Sequence, residues 1–595
     1  MAELPPVKLP DPVQWSRDMV EIAERSQRLV LEFLARQSES GLGTADPLNI
    51  GSAFLEFTGR MMSDPAKLVQ AQVSLWQDYM TLWQRTAERF LGGKAAPLVE
   101  PAPGDRRFKD TAWTDGTLFD FIKQSYLLTA RWLLTTVKEI DGLDDKMARK
   151  VDFYTRQFVD AMAPSNFVLT NPEVLRTTIE TGGENLVTGL KHVLDDLERG
   201  KGRLMIKMTD LDAFKVGENI AVTPGKVVYQ NDLMQLVQYD PTTEKVQRAP
   251  LLIIPPWINK FYILDLRPRN SFIKWAVDQG HTVFVISWVN PDEHLAKKGF
   301  DDYMREGPLA ALDAMEQATG EREANVIGYC IGGTLLAATL AYMAVKGDDR
   351  IKSATYFVAL TDFAEPGELS VFIDEDQLHS LEERMREHGY LEGSDMATTF
   401  NMLRANDLIW SFVVNNYLLG KEPFPFDLLY WNCDSTRMPA AMHSFYLRNM
   451  YQENKLVVPG GISLCGVPID LRKITVPSFL LSTKEDHIAP WKSVYAATQI
   501  YGGPVSFCLA ASGHVAGIVN PPGQGKYGHW RNTKNPPSPD DWLANAKYEN
   551  DSWWPYWEKW VARFAGGEVT ARRPGDGRLT PIEDAPGSYV QVKAS

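Results

Sequence analysis

The chain has 595 residues and a formal net charge of −14, with 44% hydrophobic and 23% charged residues. This balance is typical of a globular protein with several domains, or with one large core and extensions, and it excludes a largely disordered chain. Because the charge is acidic and no dense Lys/Arg run is present, nucleic acid is not expected as a partner.

The spacing of the cysteines and the lengths of the apolar runs indicate in which cellular compartment the protein is expected. The four cysteines are widely spaced and form no CxxC motif, which argues against a disulfide framework and a Cys-rich zinc site and favours a reducing compartment. The first residues lack a signal pattern, and no apolar run approaches the ~18 to 20 residues of a membrane span. We therefore expect a cytoplasmic protein without a membrane span.

Residues 1–95 are predicted to be a helical N-terminal region. Apolar residues recur every three or four positions along one helix, which gives it one apolar face: Val69, Val73, Trp76, Met80, Trp83, Ala87 and Phe90. A rougher stripe of the same kind precedes it: Trp15, Met19, Ile22, Leu29, Phe33 and Leu34. These faces must be covered by the rest of the chain, by a partner helix or by an apolar assembly surface.

The sequence pattern changes twice along the rest of the chain. A Gly-, Pro- and Ala-rich linker at residues 96–109 leads to a further helical part at 110–220. Beyond it, short apolar runs alternate with helix-length stretches: GKVVYQ, MQLVQY, PLLIIP, TVFVISW, ANVIGY, SATYFVAL, VPSFLLS and PVSFCLA. Such runs predict an α/β fold with a mostly parallel sheet buried on both faces, divided into a first part at 221–362 and a second part with a C-terminal tail at 471–595.

The two parts of the α/β core are separated by an unusually long connection. Between the strands SATYFVAL and VPSFLLS the chain is rich in aromatic and helical segments and shows no βα repeat. Connections of this length are uncommon in compact domains unless they carry a function. The sequence therefore predicts an inserted cap domain at residues 363–470.

Residues 328–332, GYCIG, match the G-x-nucleophile-x-G turn between a strand and a helix that is typical of the α/β-hydrolase fold. An apolar strand precedes the motif and the helical stretch GGTLLAATLAYMAV follows it. In this turn the nucleophile is held exposed on a strained backbone, and the glycines leave room where the strand and the helix approach each other. Cys330 is therefore the candidate nucleophile.

A thiol nucleophile needs a base, and in this fold an acid and then a histidine follow the nucleophile in the chain. His514 lies in a Gly-containing loop after the last predicted strand, which makes it the candidate base. Asp486 lies in the loop after the preceding strand and is the candidate acid, with the adjacent Glu485 as its rival. His487 is too close to Asp486 in sequence to be the base, and we assign it a structural, supportive role.

An oxyanion hole completes this chemistry. The backbone N–H of Ile331, directly after the nucleophile, is the expected first donor. The second is expected from the loop after PLLIIP, at the backbone of Trp257 or Ile258. The sequence contains no HExxH, no phosphate loop and no G-x-G-x-x-G between a strand and a helix, so we expect neither a metal site nor a cofactor.

Several longer motifs carry a family resemblance. GYCIGG, LIIPPWINKFYILDLRP, FDLLYWNCDSTRMP, STKEDHIAPW and SGHVAGIVNPP together resemble the class I poly(3-hydroxyalkanoate) synthases, over residues from about 105 to the end. The resemblance implies that Cys330, Asp486 and His514 are the nucleophile, acid and base, and that Trp431 supports the site. It also implies a homodimer that grows polyester on a polymer inclusion in the cytoplasm.

The function implied by this resemblance is the polymerisation of short-chain (R)-3-hydroxyacyl-CoA, such as 3-hydroxybutyryl-CoA, with release of CoA. A cysteine suits this substrate because it exchanges one thioester for another and keeps the acyl group activated. The alternative is a Cys-dependent small-ester or lactone hydrolase of the dienelactone-hydrolase type, which shares the G-x-C-x-G-G turn. A third hypothesis is a granule-coating scaffold whose N-terminal helices do the work.

Overall fold

The structure is a computed structural model that describes residues 11–39, 57–60, 65–139 and 142–594. The chain forms two compact units, the first comprising Met1–Asp210 and Phe400–Phe424 and the second comprising Leu211–Thr399 and Pro425–Ser595. Residues 400–424, which the sequence placed in the cap insertion, thus belong to the helical first unit. The predicted domain boundaries themselves stay a prediction.

The described part of the first unit is helical, which confirms the predicted helical N-terminal region. Its main helices are Pro12–Glu39, Pro65–Phe90, Ala112–Asp115, Thr117–Lys138, Asp145–Ala161, Pro172–Thr181 and Glu184–Arg199. Side-chain oxygens of Asp144 and Asn171 accept hydrogen bonds from the first free N–H groups of the helices that follow them, which fixes where those helices begin. The segments 1–10, 40–56 and 61–64 of the predicted region lie outside the described residues.

The predicted apolar face of helix Pro65–Phe90 is exposed. Trp76 and Phe90 on this face are 64% and 80% exposed, and Val69, Val73, Met80 and Trp83 are exposed as well. The helix contacts helix Thr117–Lys138 beside this face: the ring of Trp83 lies 5.1 Å from that of Phe121, and the indole N–H of Trp132 donates to the carbonyl of Ala71 at 2.9 Å. Within the described part of this unit, most of the apolar face is therefore left uncovered by the chain itself. Of the rougher stripe, Ile22 is buried, and the side chains of Phe33 and Leu34 lie outside those described.

The second unit is built on a large sheet. In chain order the strands β1 to β17 of the described residues are Gly225–Gln230, Met234–Tyr239, Lys245–Gln247, Leu251–Ile254, Val283–Trp288, Ala324–Tyr329, Ile351–Phe357, Tyr390–Leu391, Met438–Pro439, Ser463–Leu464, Val467–Pro468, Ser478–Thr483, Val505–Ala510, His529–Arg531, Lys547–Glu549, Glu568–Thr570 and Glu583–Asp584. Eleven of them form one sheet in the order β15-β14-β13-β12-β7-β6-β4-β5-β2-β1-β17.

Six adjacent strands of this sheet, from β13 through β12, β7, β6 and β4 to β5, are parallel, and the strands at both edges are antiparallel. All residues of β4, β5 and β6 are buried, as expected for parallel strands covered on both faces. The predicted fold class is therefore confirmed. The short edge strands β14, β15 and β17 were not predicted, because runs of two or three residues carry too little periodicity to be recognised.

Helices cover this sheet and fill the long insertion between β7 and β12. The helices of the second unit outside the insertion are Phe272–Asp278, Phe300–Met304, Ala310–Thr319, Ile331–Lys346, Trp491–Tyr495, Ala497–Ile500, Pro539–Ala544 and Trp554–Val561. The α-helices of the insertion are Glu375–His388, Gly393–Leu403, Asp427–Cys433 and Ala440–Tyr446. No described helix of the chain is long and apolar enough to cross a membrane.

Candidate active site

The site is organised around a sharp turn at Cys330, between β6 and helix Ile331–Lys346. Cys330 has φ 52° and ψ −125°, in a region that non-glycine residues rarely adopt and that costs of order 1–3 kcal/mol. The turn is held from both sides: the N–H of Cys330 donates to the carbonyl of Phe357 at 2.8 Å, and its own carbonyl accepts from the N–H of Gly333 at 2.8 Å. The strained turn that the motif predicted is therefore present.

Two glycines are required here by close backbone approach. A Cβ on Gly332 would lie 2.3 Å from the carbonyl oxygen of Ile254, at the end of β4, and a Cβ on Gly328 would lie 2.5 Å from the Cα of Gly333. Real Cβ atoms do not approach other atoms this closely, so a side chain at either position would push the helix away from the strand. The glycines thus bring the N-terminus of the helix against the loop that follows β4.

The other two candidate side chains come from the loops after β12 and β13. His514 Nδ1 lies 2.7 Å from Asp486 Oδ2, and both side chains are buried. Oδ1 of Asp486 accepts two backbone N–H groups, from Ile488 and Ala489, each at 2.9 Å. The carboxylate is therefore fixed in place by backbone donors, so that its second oxygen faces the imidazole.

The environment favours a proton on the imidazole. Burial of His514 opposes its charged form, but the charges of Asp486 and Cys330, together with hydrogen bonds to both side chains, outweigh burial and raise the pKa of His514 to about 10. The Asp486 carboxylate lies against Nδ1 of the imidazole, and the charge of Cys330 acts on the same ring. The structure thus brings together the three side chains that the sequence selected one by one.

The two neighbours of Asp486 have other surroundings. The side chain of Glu485, the rival acid, is exposed, and its backbone N–H donates to the carbonyl of Ser512 at 3.0 Å. His487 is partly buried, and its carbonyl accepts from the N–H of Glu368 at 3.1 Å. Because Asp486 is the residue that contacts His514, the choice between the adjacent carboxylates falls on Asp486.

The candidate oxyanion donors lie on either side of Gly332. Ile331 is the first residue of its helix, where a backbone N–H has no partner within the helix. In the loop after β4, Thr436 Oγ1 donates to the carbonyl of Trp257, and the N–H of Thr436 donates to the carbonyl of Ile258 at 3.0 Å. In a trans peptide the C=O and the following N–H point in opposite directions, so the N–H of Ile258 points away from Thr436. The N–H groups of Trp257 and Ile258 both stay candidates for the second donor, and that of Ile258 is free of Thr436.

Trp431 contacts the same loop one step further along the chain. It is buried, and its indole N–H donates to the carbonyl of Lys260 at 2.7 Å. The loop between β4 and Phe261 is therefore held by hydrogen bonds from residues 431–436 of the insertion. Trp431 is thus placed as a support of the loop and not at the reacting atoms.

An aromatic cluster of the insertion was missed by the sequence analysis. The rings of Phe363, Tyr446 and Tyr451 pack mutually, with centroid distances of 5.1 to 6.0 Å. Burial, and after it the charge of Cys330, raises the pKa of Tyr451. No motif or periodicity marks these residues, because only the folded insertion brings them together.

Comparison with known proteins identifies the family of the chain. Residues 104–276 match the family model described as the poly-beta-hydroxybutyrate polymerase (PhaC) N-terminus, and residues 250–521 match that of the alpha/beta hydrolase fold. The chain is 54% identical to the poly(3-hydroxyalkanoate) polymerase of Methylorubrum extorquens, over 90% of this chain and 88% of the relative. The chain belongs to the poly(3-hydroxyalkanoate) polymerase family. The family resemblance drawn from the sequence is thereby confirmed.

Two further relatives extend the match along almost the whole chain. It is 49% identical to the poly(3-hydroxyalkanoate) polymerase subunit PhaC of Rhizobium meliloti (strain 1021), over 99% of this chain and 97% of the relative. It is 42% identical to the subunit of that name from Cupriavidus necator, over 94% of each chain. The similarity to the family thus includes the helical first unit as well as the α/β unit.

Proposed function

We propose that this protein polymerises short-chain (R)-3-hydroxyacyl-CoA into polyhydroxyalkanoate with release of CoA, through an acyl thioester on Cys330. The observation that carries the proposal is the hydrogen bond between His514 and Asp486, together with the strained turn at Cys330, all at the carboxyl ends of parallel strands in a chain of this family. The reaction is an acyl transfer, and the proposal requires neither a metal nor an organic cofactor.

The first half of the reaction loads Cys330. With the proton on His514, the sulfur attacks the thioester carbonyl as a thiolate, a new C–S bond forms, and the bond to the CoA sulfur breaks. The developing oxyanion accepts hydrogen bonds from the N–H groups of Ile331 and Ile258. His514 gives its proton to the departing CoA thiolate, so CoA leaves as a free thiol and His514 becomes neutral.

The second half lengthens the chain. Acylation removes the negative charge from Cys330 that helps to hold the proton on His514, so the neutral imidazole is now a base. It takes the proton from the hydroxyl of a 3-hydroxyacyl unit, whose oxygen attacks the stored acyl group, forms an ester and releases the thiolate. Asp486 stabilises the imidazolium that results.

Water is the competing nucleophile, since its attack on the stored acyl group gives a free acid. The buried rings of Phe363 and Tyr446 and the partly buried ring of Tyr451 pack together in the insertion, and we infer that they shield the acylated sulfur from water, which supports transfer over hydrolysis. These rings belong to the insertion, so the proposal gives the cap its function: it excludes water while the chain is held on Cys330.

The assembly and location are part of the proposal. We place the enzyme in the cytoplasm as a homodimer on the surface of polymer inclusions, and it does not need a membrane span for this. The exposed apolar face of helix Pro65–Phe90 supports contact with a second chain or with polymer, because large contiguous apolar patches on a protein surface mark interaction sites.

The test uses (R)-3-hydroxybutyryl-CoA and the pure full-length protein. We expect release of free thiol in step with formation of insoluble polyester, and the loss of both in Cys330→Ala. The matched control is Cys465→Ala, which removes an exposed cysteine outside the site and is expected to leave turnover unchanged. Thiol release that yields only 3-hydroxybutyric acid would instead establish the hydrolase alternative, and substantial activity in Cys330→Ala would refute the nucleophile assignment.

A further inference from the structure

A buried ammonium group lies directly beyond the loop that carries the candidate oxyanion donor. The side chain of Lys260 is 2% exposed, and its Nζ donates to the carbonyl of Val590 at 3.0 Å and to that of Val592. Its nearest carboxylate is that of Asp434, 3.8 Å away and 7% exposed. The mechanism proposed above does not use this group, and burying a charge is costly unless partners are supplied.

The two carbonyls belong to the C-terminal tail, which is anchored independently of Lys260. The hydroxyl of Tyr589 donates to the carbonyl of Asn231 at 2.7 Å, and the side chain of Gln591 donates to the carbonyl of Val216 at 3.1 Å. Val590 itself is 1% exposed. The tail therefore presents its carbonyl oxygens from a fixed position to the Lys260 ammonium.

The carboxylate of Asp434 is also held in place by a neighbouring side chain. Its Oδ2 accepts a hydrogen bond of 2.8 Å from the buried hydroxyl of Tyr262, two residues after Lys260. Burial lowers the pKa of Lys260 and raises that of Asp434, and the attraction between the two opposite charges opposes both shifts. Lys593 is the other charged group near the pair, and it acts against the charge of Lys260. The ammonium thus depends on Asp434 and on the two tail carbonyls.

We propose that Lys260 is a positioning residue for the oxyanion hole, with Asp434 and the carbonyls of Val590 and Val592 as its fixed partners. The Lys260 ammonium ties the end of the loop to the C-terminal tail, while Thr436 holds the carbonyls of Trp257 and Ile258. Together these contacts keep the N–H of Ile258 directed at the oxyanion. The inference rests on the proposed function only in taking Ile258 as a donor.

The reason for such an anchor is geometric. A hydrogen-bond donor stabilises an oxyanion only when it lies about 2.7–3.1 Å from the position that the oxygen reaches in the transition state. The loop contains no helix or strand that would hold its N–H groups, since β4 ends at Ile254 and the next regular element, a 3₁₀ turn, begins at Phe261. Its position is therefore determined by groups distant in sequence, and the last residues of the chain are among them.

The test compares two reactions of Cys330 in Lys260→Met. Acylation by p-nitrophenyl butyrate develops an oxyanion, whereas alkylation by iodoacetamide requires only the activated sulfur. We expect the acylation rate to fall about 100-fold, the order of effect of losing one oxyanion donor, and the rate of alkylation of the Cys330 peptide to stay unchanged. The matched control is Lys274→Met, which removes an exposed lysine paired with Asp278 and should change neither rate.

A second variant keeps the inference testable if Lys260→Met does not fold. Truncation after Gln591 removes the Val592 carbonyl but keeps that of Val590, and we expect a smaller fall of about 10-fold in acylation, again without a change in alkylation. Equal losses in both reactions, or no loss in acylation, overturn the inference. Turnover of (R)-3-hydroxybutyryl-CoA by the wild type decides the proposed function separately, because the two Cys330 reactions need no polymerisation.

Discussion

The candidate site has two parts, the turn around Cys330 and the loop after β4, and they are held in place by different contacts. The elbow around Cys330 is a short motif in which the glycines at 328, 332 and 333 let the strand and the helix pack closely against the ends of β4 and β7. The loop after β4, which carries Ile258, is held by residues 431–436 and, through Lys260, by the last residues of the chain. One half is a local motif, and the other is assembled from three distant segments.

This difference explains how the two halves respond to change. The strain at Cys330 is maintained by backbone hydrogen bonds and by the absence of Cβ atoms, so we expect the conformation of this turn to be insensitive to side-chain changes in the loop after β4. The oxyanion loop has no such internal support, so its position depends on single side chains such as Thr436 and Lys260. Damage to the first half removes the nucleophile, whereas damage to the second half leaves a reactive sulfur with poor stabilisation of the transition state.

The largest effect is expected from Asp486→Asn, which acts on the half of the site where the nucleophile is activated. The amide cannot stabilise the imidazolium and favours the wrong tautomer, so we expect kcat for CoA release to fall by about 10³ to 10⁴. Asp540→Asn, which changes an exposed aspartate paired with Lys492, is the control and should keep full activity. A loss of less than tenfold in Asp486→Asn would contradict the assignment of the acid.

The same substitution has an effect on stability that depends on pH. The folded-state pKa of His514 is raised from 6.5 to about 10, so its stabilising contribution is fully present below about pH 6.5 and is lost as the pH rises through the folded value. We expect the unfolding free energy of the wild type, relative to Asp486→Asn, to fall between pH 6.5 and pH 10. Denaturant unfolding at several pH values checks this, and a difference that grows with pH would refute the sign.

Gly332→Ala is expected to disturb both halves at once, because Gly332 is where they meet. The new Cβ would lie 2.3 Å from the carbonyl of Ile254, so either the helix or the loop must move. We expect a loss of about 1–3 kcal/mol of stability and a fall of about 100-fold in kcat. Thermal unfolding together with the iodoacetamide alkylation rate measures the two effects, and the alkylation rate is expected to fall here, unlike in the loop variants.

Thr436→Val is expected to affect only the loop. It removes the hydroxyl that donates to the carbonyl of Trp257 while it keeps the shape of the side chain and the backbone N–H that holds Ile258. We expect kcat to fall about tenfold, with KM little changed, since the lost support acts on the transition state. Thr436→Ser retains the hydroxyl and should recover most of the activity; if it is as poor as Thr436→Val, the hydroxyl is not what matters.

The smallest effect is expected from Trp431→Phe. This change removes one hydrogen bond, to the carbonyl of Lys260, and keeps a large ring in the buried position. A single neutral hydrogen bond contributes about 1 kcal/mol, so we expect a modest fall in the unfolding free energy and a decrease in kcat of a few-fold. A loss as large as that of Asp486→Asn would place Trp431 at the reacting atoms and contradict its supporting position.

The sequence was most informative where structure is local. The parallel strands were recognisable because buried strands are continuous apolar runs, and Cys330 because its turn requires glycines at fixed spacing. Asp486 and His514 followed from the order in which this fold places an acid and a base after its strands. The choice between Asp486 and Glu485 needed the structure, since adjacent residues of one loop differ in the direction of their side chains.

The apolar face of helix Pro65–Phe90 shows a different limit. Its periodicity correctly predicted a helix with one apolar side, because the spacing depends only on 3.6 residues per turn. The same pattern does not state what that side contacts. In the described structure the face is exposed, so the apolar residues that looked like core are available for an assembly contact.

By itself, the sequence determined the fold class and selected Cys330, Asp486 and His514 as candidates, because these depend on short-range patterns and on the chain order of the strands. Only the tertiary structure decided which of two adjacent carboxylates contacts His514, which aromatic rings of the insertion pack together, and which groups surround the buried Lys260. The contacts of Lys260 with Val590 and Val592 join residues more than three hundred positions apart. Such contacts have no sequence signature, because they exist only once the sheet has brought both ends of the second unit together.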